Sequence, residues 1–266
     1  MPSGPDPSVP LVLTRSVRVP AGDGPPMGGY LARPAGIPDA PGVIVGMELF
    51  GVSAHVRDVC DRLASLGYAA LAPDLYHRTD PGVELPADDE GRARGFELLH
   101  RMDRDEVVAD LRAAAGALAA RGHALRGAVG LSVGGHLVYL AATRLPVPVT
   151  VVVYGGWLTT SDLPLSRPHP TVDATPGITG RVLVLVGEHD PVVPPEQRTA
   201  LGAALSAAGV EHEVAVEPGA GHGFLCERRA SFHAEAAARS WDRIAAVLGE
   251  DRAQSGSSST ASMRLT

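Results

Sequence analysis

Lysine is absent from the 266 residues, and all 23 basic side chains are arginine. That absence excludes Schiff-base chemistry and a lysine general base. Aromatic residues are scarce, at 4%, so Ala, Val and Leu must fill most of the core. Positive charge is in deficit, with a formal net charge of −7. A general nucleic-acid binder needs a basic face, and an anionic membrane attracts basic segments, so neither partner is expected. Cysteine is limited to Cys60 and Cys226. No Cys/His grouping has the spacing of a zinc site, so no metal and no cofactor are expected. The two cysteines read as reduced thiols of a cytoplasmic protein. No apolar run approaches the ~20 residues of a membrane span. The Pro/Gly-rich start lacks the basic-then-apolar order of a signal peptide.

What is present is 45% hydrophobic residues in a chain of the length of one larger α/β domain. Residues 1–10 read as a flexible N-terminus, 11–250 as a single domain, and 251–266 as a disordered, low-complexity tail. Strands are expected at 12–19, 28–33, 43–47, 69–72, 127–131, 149–153, 182–186 and 212–216. Several are nearly continuous aliphatic runs, such as Val149-Thr150-Val151-Val152-Val153. Strands covered on both faces have this composition. Helical spacing links Val56, Val59, Leu63 and Leu66, then Val107, Leu111, Ala115 and Leu118. It recurs at Leu201 and Leu205, and at Ala237, Trp241, Ile244 and Leu248. Asp103 followed by Glu106 resembles a capping box. Residues 73–92 and 155–180 read as long irregular stretches, which often shape active sites. The alternation implies a mostly parallel twisted sheet with helices on both faces.

The strongest local motif is Gly130-Leu131-Ser132-Val133-Gly134-Gly135, between a strand and the helical run 136–142. G-x-S-x-G in that setting is the nucleophile elbow. The turn is so tight that its neighbours must have little or no side chain, and the hydroxyl stands at the positive end of the next helix. A serine nucleophile needs a base, and the base needs an acid to orient it. Asp190 follows the strand 182–186, at the sheet edge where ligands bind. His222 lies between glycines, after the last strand and before the last helix. Each has a plainer reading: a Gly/Ser turn, a turn residue before Pro191, a surface histidine. The order Ser, acid, His, each after a strand, favours the catalytic one. Glu48 also follows a strand directly; its plainer reading is a solvated or helix-capping carboxylate.

The chain resembles the dienelactone hydrolase (carboxymethylenebutenolidase) family, with the α/β-hydrolase fold, from about residue 40 to 248. The resemblance rests on Glu48-Leu49-Phe50-Gly51-Val52, Arg57, Gly67-Tyr68-Ala69-Ala70, Pro73-Asp74-Leu75-Tyr76, the elbow, Asp190 and Gly221-His222-Gly223-Phe224. It implies Ser132, Asp190 and His222 as the triad, the backbone N–H groups of Leu49 and Val133 as the oxyanion hole, and Glu48 in contact with the nucleophile, modulating its activation. Two positions depart from the pattern. Members that open dienelactone carry a cysteine where Ser132 stands, so this hydroxyl depends on His222 as base. The two arginines that bind the dienelactone carboxylate align with Ala93 and Cys226. Arg92 and Arg94 flank the first, and Arg228 lies near the second. The departures point away from dienelactone as substrate.

The reading is a hydrolase that cleaves an ester or lactone of a small-molecule substrate through an acyl-serine. Tyr76, Arg92, Arg94, Tyr154, Trp157 and Phe224 are the candidate substrate-binding residues, although the aromatic ones fit core packing equally. A second reading is a biosynthetic tailoring enzyme of secondary metabolism, performing cyclisation, lactone rearrangement or acyl transfer with Glu48 as acid or base. A third is a non-catalytic binder on the same fold, against which the intact triad argues. Monomer and homodimer both fit.

Overall fold

The computed structural model describes residues 11–21 and 24–257. Eight strands form one sheet in the order β1-β2-β4-β3-β5-β6-β7-β8. They are β1 Val12–Val19, β2 Met27–Pro34, β3 Gly42–Gly46, β4 Ala69–Pro73, β5 Leu125–Leu131, β6 Val149–Val153, β7 Arg181–Gly187 and β8 His212–Glu217. From β4 to β8 every neighbouring pair is parallel; β2 and β1 continue the sheet antiparallel. Every residue of β3, β4 and β6 is buried, which is why their sequences are unbroken small and aliphatic runs. All eight expected strands form, with ends shifted by a residue or two.

The helices are α1 Ala54–Ser65, α2 Asp89–Leu99, α3 Arg104–Ala119, α4 Val133–Ala142, α5 Pro195–Ala207 and α6 Ala234–Ser257. They cover both faces. On β5 a Cβ at Gly127 would stand 3.0 Å from Leu248 of α6. The next residue, Ala128, lines a groove with Leu111 of α3 and Val138 of α4. Successive strand residues point to opposite faces, so α6 and the α3/α4 pair lie on opposite sides. The Arg62 guanidinium of α1 lies over the Trp241 ring of α6 at 4.5 Å, which puts α1 on the α6 side. Asp103 caps α3 by accepting from the N–H groups of Asp105 and Glu106 at 2.8 and 3.1 Å.

Two expectations need correction. The stretch 73–92 is not irregular throughout: α2 begins at Asp89, capped by Asp88 Oδ1 accepting from Gly91 N at 2.9 Å. Its first two turns bury Gly91 and Gly95, and only its end buries large aliphatic residues, Leu98 and Leu99, so no continuous apolar stripe marks it in the sequence. The last helix runs to Ser257, into the stretch expected as a tail. Ala, Arg and Gln at 252–254 are ordinary helix formers. Residues 1–10 and 258–266 lie outside the described residues. The stretch 155–180 is irregular apart from two short 3₁₀ turns, Pro164–Ser166 and Thr171–Gly177. Among the described residues, no helix is long and apolar enough to cross a membrane.

Candidate active site

The carboxyl ends of β3, β5, β6, β7 and β8 bring the singled-out residues to one edge of the sheet. The turn from β5 into α4 holds Ser132 at φ 54°, ψ −119°. A non-glycine residue there carries strain, which the surrounding chain must enforce. It does so by close approach. A Cβ at Gly130 would lie 2.1 Å from the Gly134 carbonyl oxygen, and one at Gly134 would lie 2.2 Å from that of Gly46. Those two positions accept only glycine, which explains the flanking residues of the motif. Ser132 N donates to Val153 O at 2.9 Å, tying the elbow to β6.

The Ser132 hydroxyl lies 3.0 Å from His222 Nε2. His222 Nδ1 lies 2.9 Å from Asp190 Oδ2 and 3.1 Å from Oδ1. The Asp190 side chain is fully buried, and its Oδ1 also accepts from Val192 N at 2.8 Å. A buried carboxylate satisfied in this way fixes the proton of a neutral imidazole on Nδ1 and leaves Nε2 to accept from the serine. The loops carrying the acid and the imidazole are joined by backbone bonds. Glu188 N donates to Glu217 O and His189 N to Ala220 O, both at 2.9 Å. Buried Glu217, at the end of β8, accepts from Arg239 Nε at 2.8 Å and anchors that loop to α6.

Leu49 sits in the turn after β3, next to the α4 N-terminus. A Cβ at Gly134 would also come within 2.5 Å of Met47 O. Val133 is the first residue of α4, where a backbone N–H has no intrahelical acceptor. Val133 thus adjoins Ser132, and Leu49 lies two residues beyond Met47, whose carbonyl abuts Gly134. Glu48 is buried and ion-paired with Arg229: Nη1 donates to Oε1 at 3.2 Å and Nη2 to Oε2. The Arg229 guanidinium also lies 4.9 Å over the Phe50 ring.

Arg229 was not singled out in the sequence. Glu227-Arg228-Arg229 offers two adjacent arginines and no periodicity to choose between them. The neighbour singled out, Arg228, turns outward to Asp58 with Nη2 at 2.9 Å. Arg94 is engaged by Asp80 and Glu97, each at 2.9 Å, and Arg92 is exposed on α2. The structure brings neither Arg92 nor Arg94 to the Ser132 cluster, because α2 turns its glycines and Leu98 inward instead.

The aromatic candidates divide. Tyr76 is fully buried and donates to Leu49 O at 3.1 Å, bracing the turn rather than lining a pocket. Phe224 is fully buried against Tyr154 at 5.4 Å. Trp157 is half-buried and meets Phe96, a residue the sequence did not flag. Tyr154 packs edge-on against the His222 ring at 5.0 Å and 63°. It sits at φ 42°, and its buried hydroxyl has no hydrogen-bond partner among the described residues. Burial, followed by the Glu48 charge, pushes its phenol well above the usual range, so it stays protonated. An unpartnered buried hydroxyl costs about 1–3 kcal/mol. Tyr154→Phe is therefore expected to raise the melting temperature, while Tyr154→Ala, which removes the ring beside His222, lowers both stability and turnover. A lower melting temperature for the Phe variant would show that the hydroxyl is bonded.

A mostly parallel sheet with helices on both faces, carrying Ser, Asp and His after β5, β7 and β8, defines an α/β-hydrolase. The model of the dienelactone hydrolase family matches residues 27–251, and the chain belongs to that family. A relative from Synechocystis sp., named "putative carboxymethylenebutenolidase", is 36% identical over 222 residues, covering 81% of this chain and 88% of its own. One of the same name from Escherichia coli K12 is 36% identical over 210 residues, covering 77% and 74%. Among solved structures, a "putative dienelactone hydrolase" from Klebsiella pneumoniae superposes with a TM-score of 0.81 at 33% identity, covering 90% of this chain and 99% of its own. A dienelactone hydrolase-like promiscuous phosphotriesterase from metagenomic libraries superposes at 0.73 with 27% identity, covering 90% and 98%. The chain is thus similar to hydrolases along nearly its whole described length.

Proposed function

We propose that this chain hydrolyses an ester or lactone through an acyl-Ser132 intermediate. The observation that carries the reading is the continuous hydrogen-bonded series from Ser132 Oγ through His222 to Asp190, at 3.0 and 2.9 Å. His222 Nε2 takes the hydroxyl proton as Oγ attacks the carbonyl carbon. Asp190 stabilises the resulting imidazolium from the Nδ1 side. The N–H groups of Leu49 and Val133 receive the negative charge of the tetrahedral oxygen, each such donor being worth about 3–4 kcal/mol in a comparable site. The imidazolium then protonates the leaving alkoxide. Water, deprotonated by the same Nε2, attacks the acyl carbon and frees the acid.

The structure gives the tailoring reading no support. Glu48 has both carboxylate oxygens on Arg229, which favours an ion-pair partner over a mobile acid or base.

The test is covalent labelling. A fluorophosphonate should add to Ser132 alone, as mapped by mass spectrometry, and a p-nitrophenyl ester should slow that labelling in proportion to its saturation of the enzyme. Failure to label, or labelling at another residue, removes the acyl-serine mechanism.

A further inference from the structure

Leu49 follows β3, Ser132 follows β5 and Trp157 lies four residues beyond β6. In the sheet β5 runs between β3 and β6, with neighbouring strands about 4.8 Å apart. Leu49 and Trp157 are therefore rooted on opposite sides of the strand that carries Ser132. Helix α2 is pressed onto the Leu49 side. A Cβ at Gly95 would lie 2.6 Å from Leu49 Cγ and 2.7 Å from its carbonyl oxygen. The Tyr76 hydroxyl, bonded to Leu49 O, also reaches Gly95 O at 3.5 Å. The next residue on α2 is Phe96, and its ring meets Trp157 edge to face, with centroids 5.9 Å apart at 88°. Two side chains from the two flanks of the Ser132 strand thus meet.

Trp157 is held in place at a conformational cost. Its φ is 60°, a region that bulky L-residues rarely adopt. The backbone around it is fastened from below. His136 Nδ1 lies 3.2 Å from Gly156 O, and Ser166 Oγ donates to Trp157 O at 3.1 Å. His136 is itself fully buried, and burial lowers its pKa to about 4, so it acts as a neutral donor at physiological pH. Phe96 and Trp157 are both half-buried, so each keeps open ring surface. Two of the neighbouring cations are already engaged: Arg229 by Glu48, and Arg94 by Asp80 and Glu97.

We propose that the Phe96–Trp157 pair is the specificity element of the Ser132 site, and that it selects a flat, uncharged ring at the scissile carbonyl over an aliphatic or carboxylate-bearing acyl group. The proposal rests on the reading of Ser132 as nucleophile. A ring sliding beneath the pair gains a further aromatic contact, while a carboxylate there must lose its water, with Arg229 and Arg94 already held by their own carboxylates.

The experiment compares dihydrocoumarin, an aryl lactone, with δ-valerolactone, its aliphatic counterpart, and p-nitrophenyl hemisuccinate with the neutral p-nitrophenyl butyrate. In the wild type the hemisuccinate is expected to be at least tenfold poorer in kcat/KM than the butyrate. Phe96→Leu keeps most of the bulk and removes the ring; it should lower the ratio of kcat/KM for dihydrocoumarin over δ-valerolactone by about three- to tenfold, the range of one edge-to-face contact. Trp157→Leu should do the same, and both variants should melt cooperatively. An unchanged ratio in Phe96→Leu, or a hemisuccinate as good as the butyrate, overturns the proposal. A wild type that labels at Ser132 but shows such results loses only the selection. A wild type that neither labels nor turns over any of the four compounds loses the hydrolase reading itself.

Discussion

Ser132→Ala is expected to lower kcat on p-nitrophenyl butyrate by about 10⁴-fold or more, leaving only what binding and the backbone donors supply. The effect is large because, in the proposed mechanism, the three side chains act as a unit. Without the hydroxyl, the His222–Asp190 pair has no nucleophile to activate. Stability should hardly change. Alanine faces the same φ of 54° as the serine, and the close approaches of Gly130 and Gly134 are untouched. The loss is one hydrogen bond, at 3.0 Å, to a partly solvated imidazole. The Ser132→Ala/His222→Ala double variant should be about as slow as the single one, because knockouts within one unit do not add. The measurement is steady-state turnover beside a thermal melt. A single variant within tenfold of wild type sinks the assignment, and a melt lowered by many degrees shows that the serine serves the fold instead.

The strands, and the order of Ser132, Asp190 and His222 at their ends, were legible in the sequence because they obey rules that act locally. A strand buried on both faces must be almost wholly aliphatic, as β6 is apart from Thr150 and β7 is from Val182 to Val186. A turn whose Cβ positions collide with backbone must be glycine, as at 130 and 134. What was not legible depends on contacts between distant segments. Helix α2 hides because glycines take two of its four buried positions and leave Leu98 and Leu99 as neighbours rather than a periodic stripe, and the reason for Gly95 is Leu49, forty-six residues earlier. Arg92 and Arg94 attracted attention as cations close to an aligned position, but helix phase sends them to solvent and to acidic neighbours. Arg229 could not be told from Arg228 without knowing which of them faces Glu48 across 181 residues of chain. The aromatic candidates carried no mark of their roles. Tyr76 braces Leu49, Phe224 packs under Tyr154, and the partner of Trp157 proved to be Phe96.

Arg229→Met is expected to destabilise the protein by about 3–5 kcal/mol, because it leaves the Glu48 carboxylate buried without its partner. The side chain of Glu48 is 2% exposed and that of Arg229 22%, so water does not readily replace the lost bonds. In a domain of this size the loss corresponds to a fall in melting temperature of about 10 °C. Arg229→Lys should fall between, since an ammonium keeps the charge but not the two-pronged fit to the carboxylate or the stacking on Phe50. Glu48→Gln combined with Arg229→Met removes both charges and should recover much of the stability. That recovery would show the cost to be an uncompensated charge rather than lost packing. Turnover in the double variant should stay below wild type, because Glu48 adjoins the Leu49 peptide that is assigned to the oxyanion. A pair replaceable for stability but not for turnover would be held there for geometry, setting the turn after β3 at the height where the Leu49 N–H is proposed to meet the reacting carbonyl. A Met variant that melts with the wild type would instead mean that Glu48 is neutral or hydrated in the folded protein, and the ion pair would lose its part in placing Leu49.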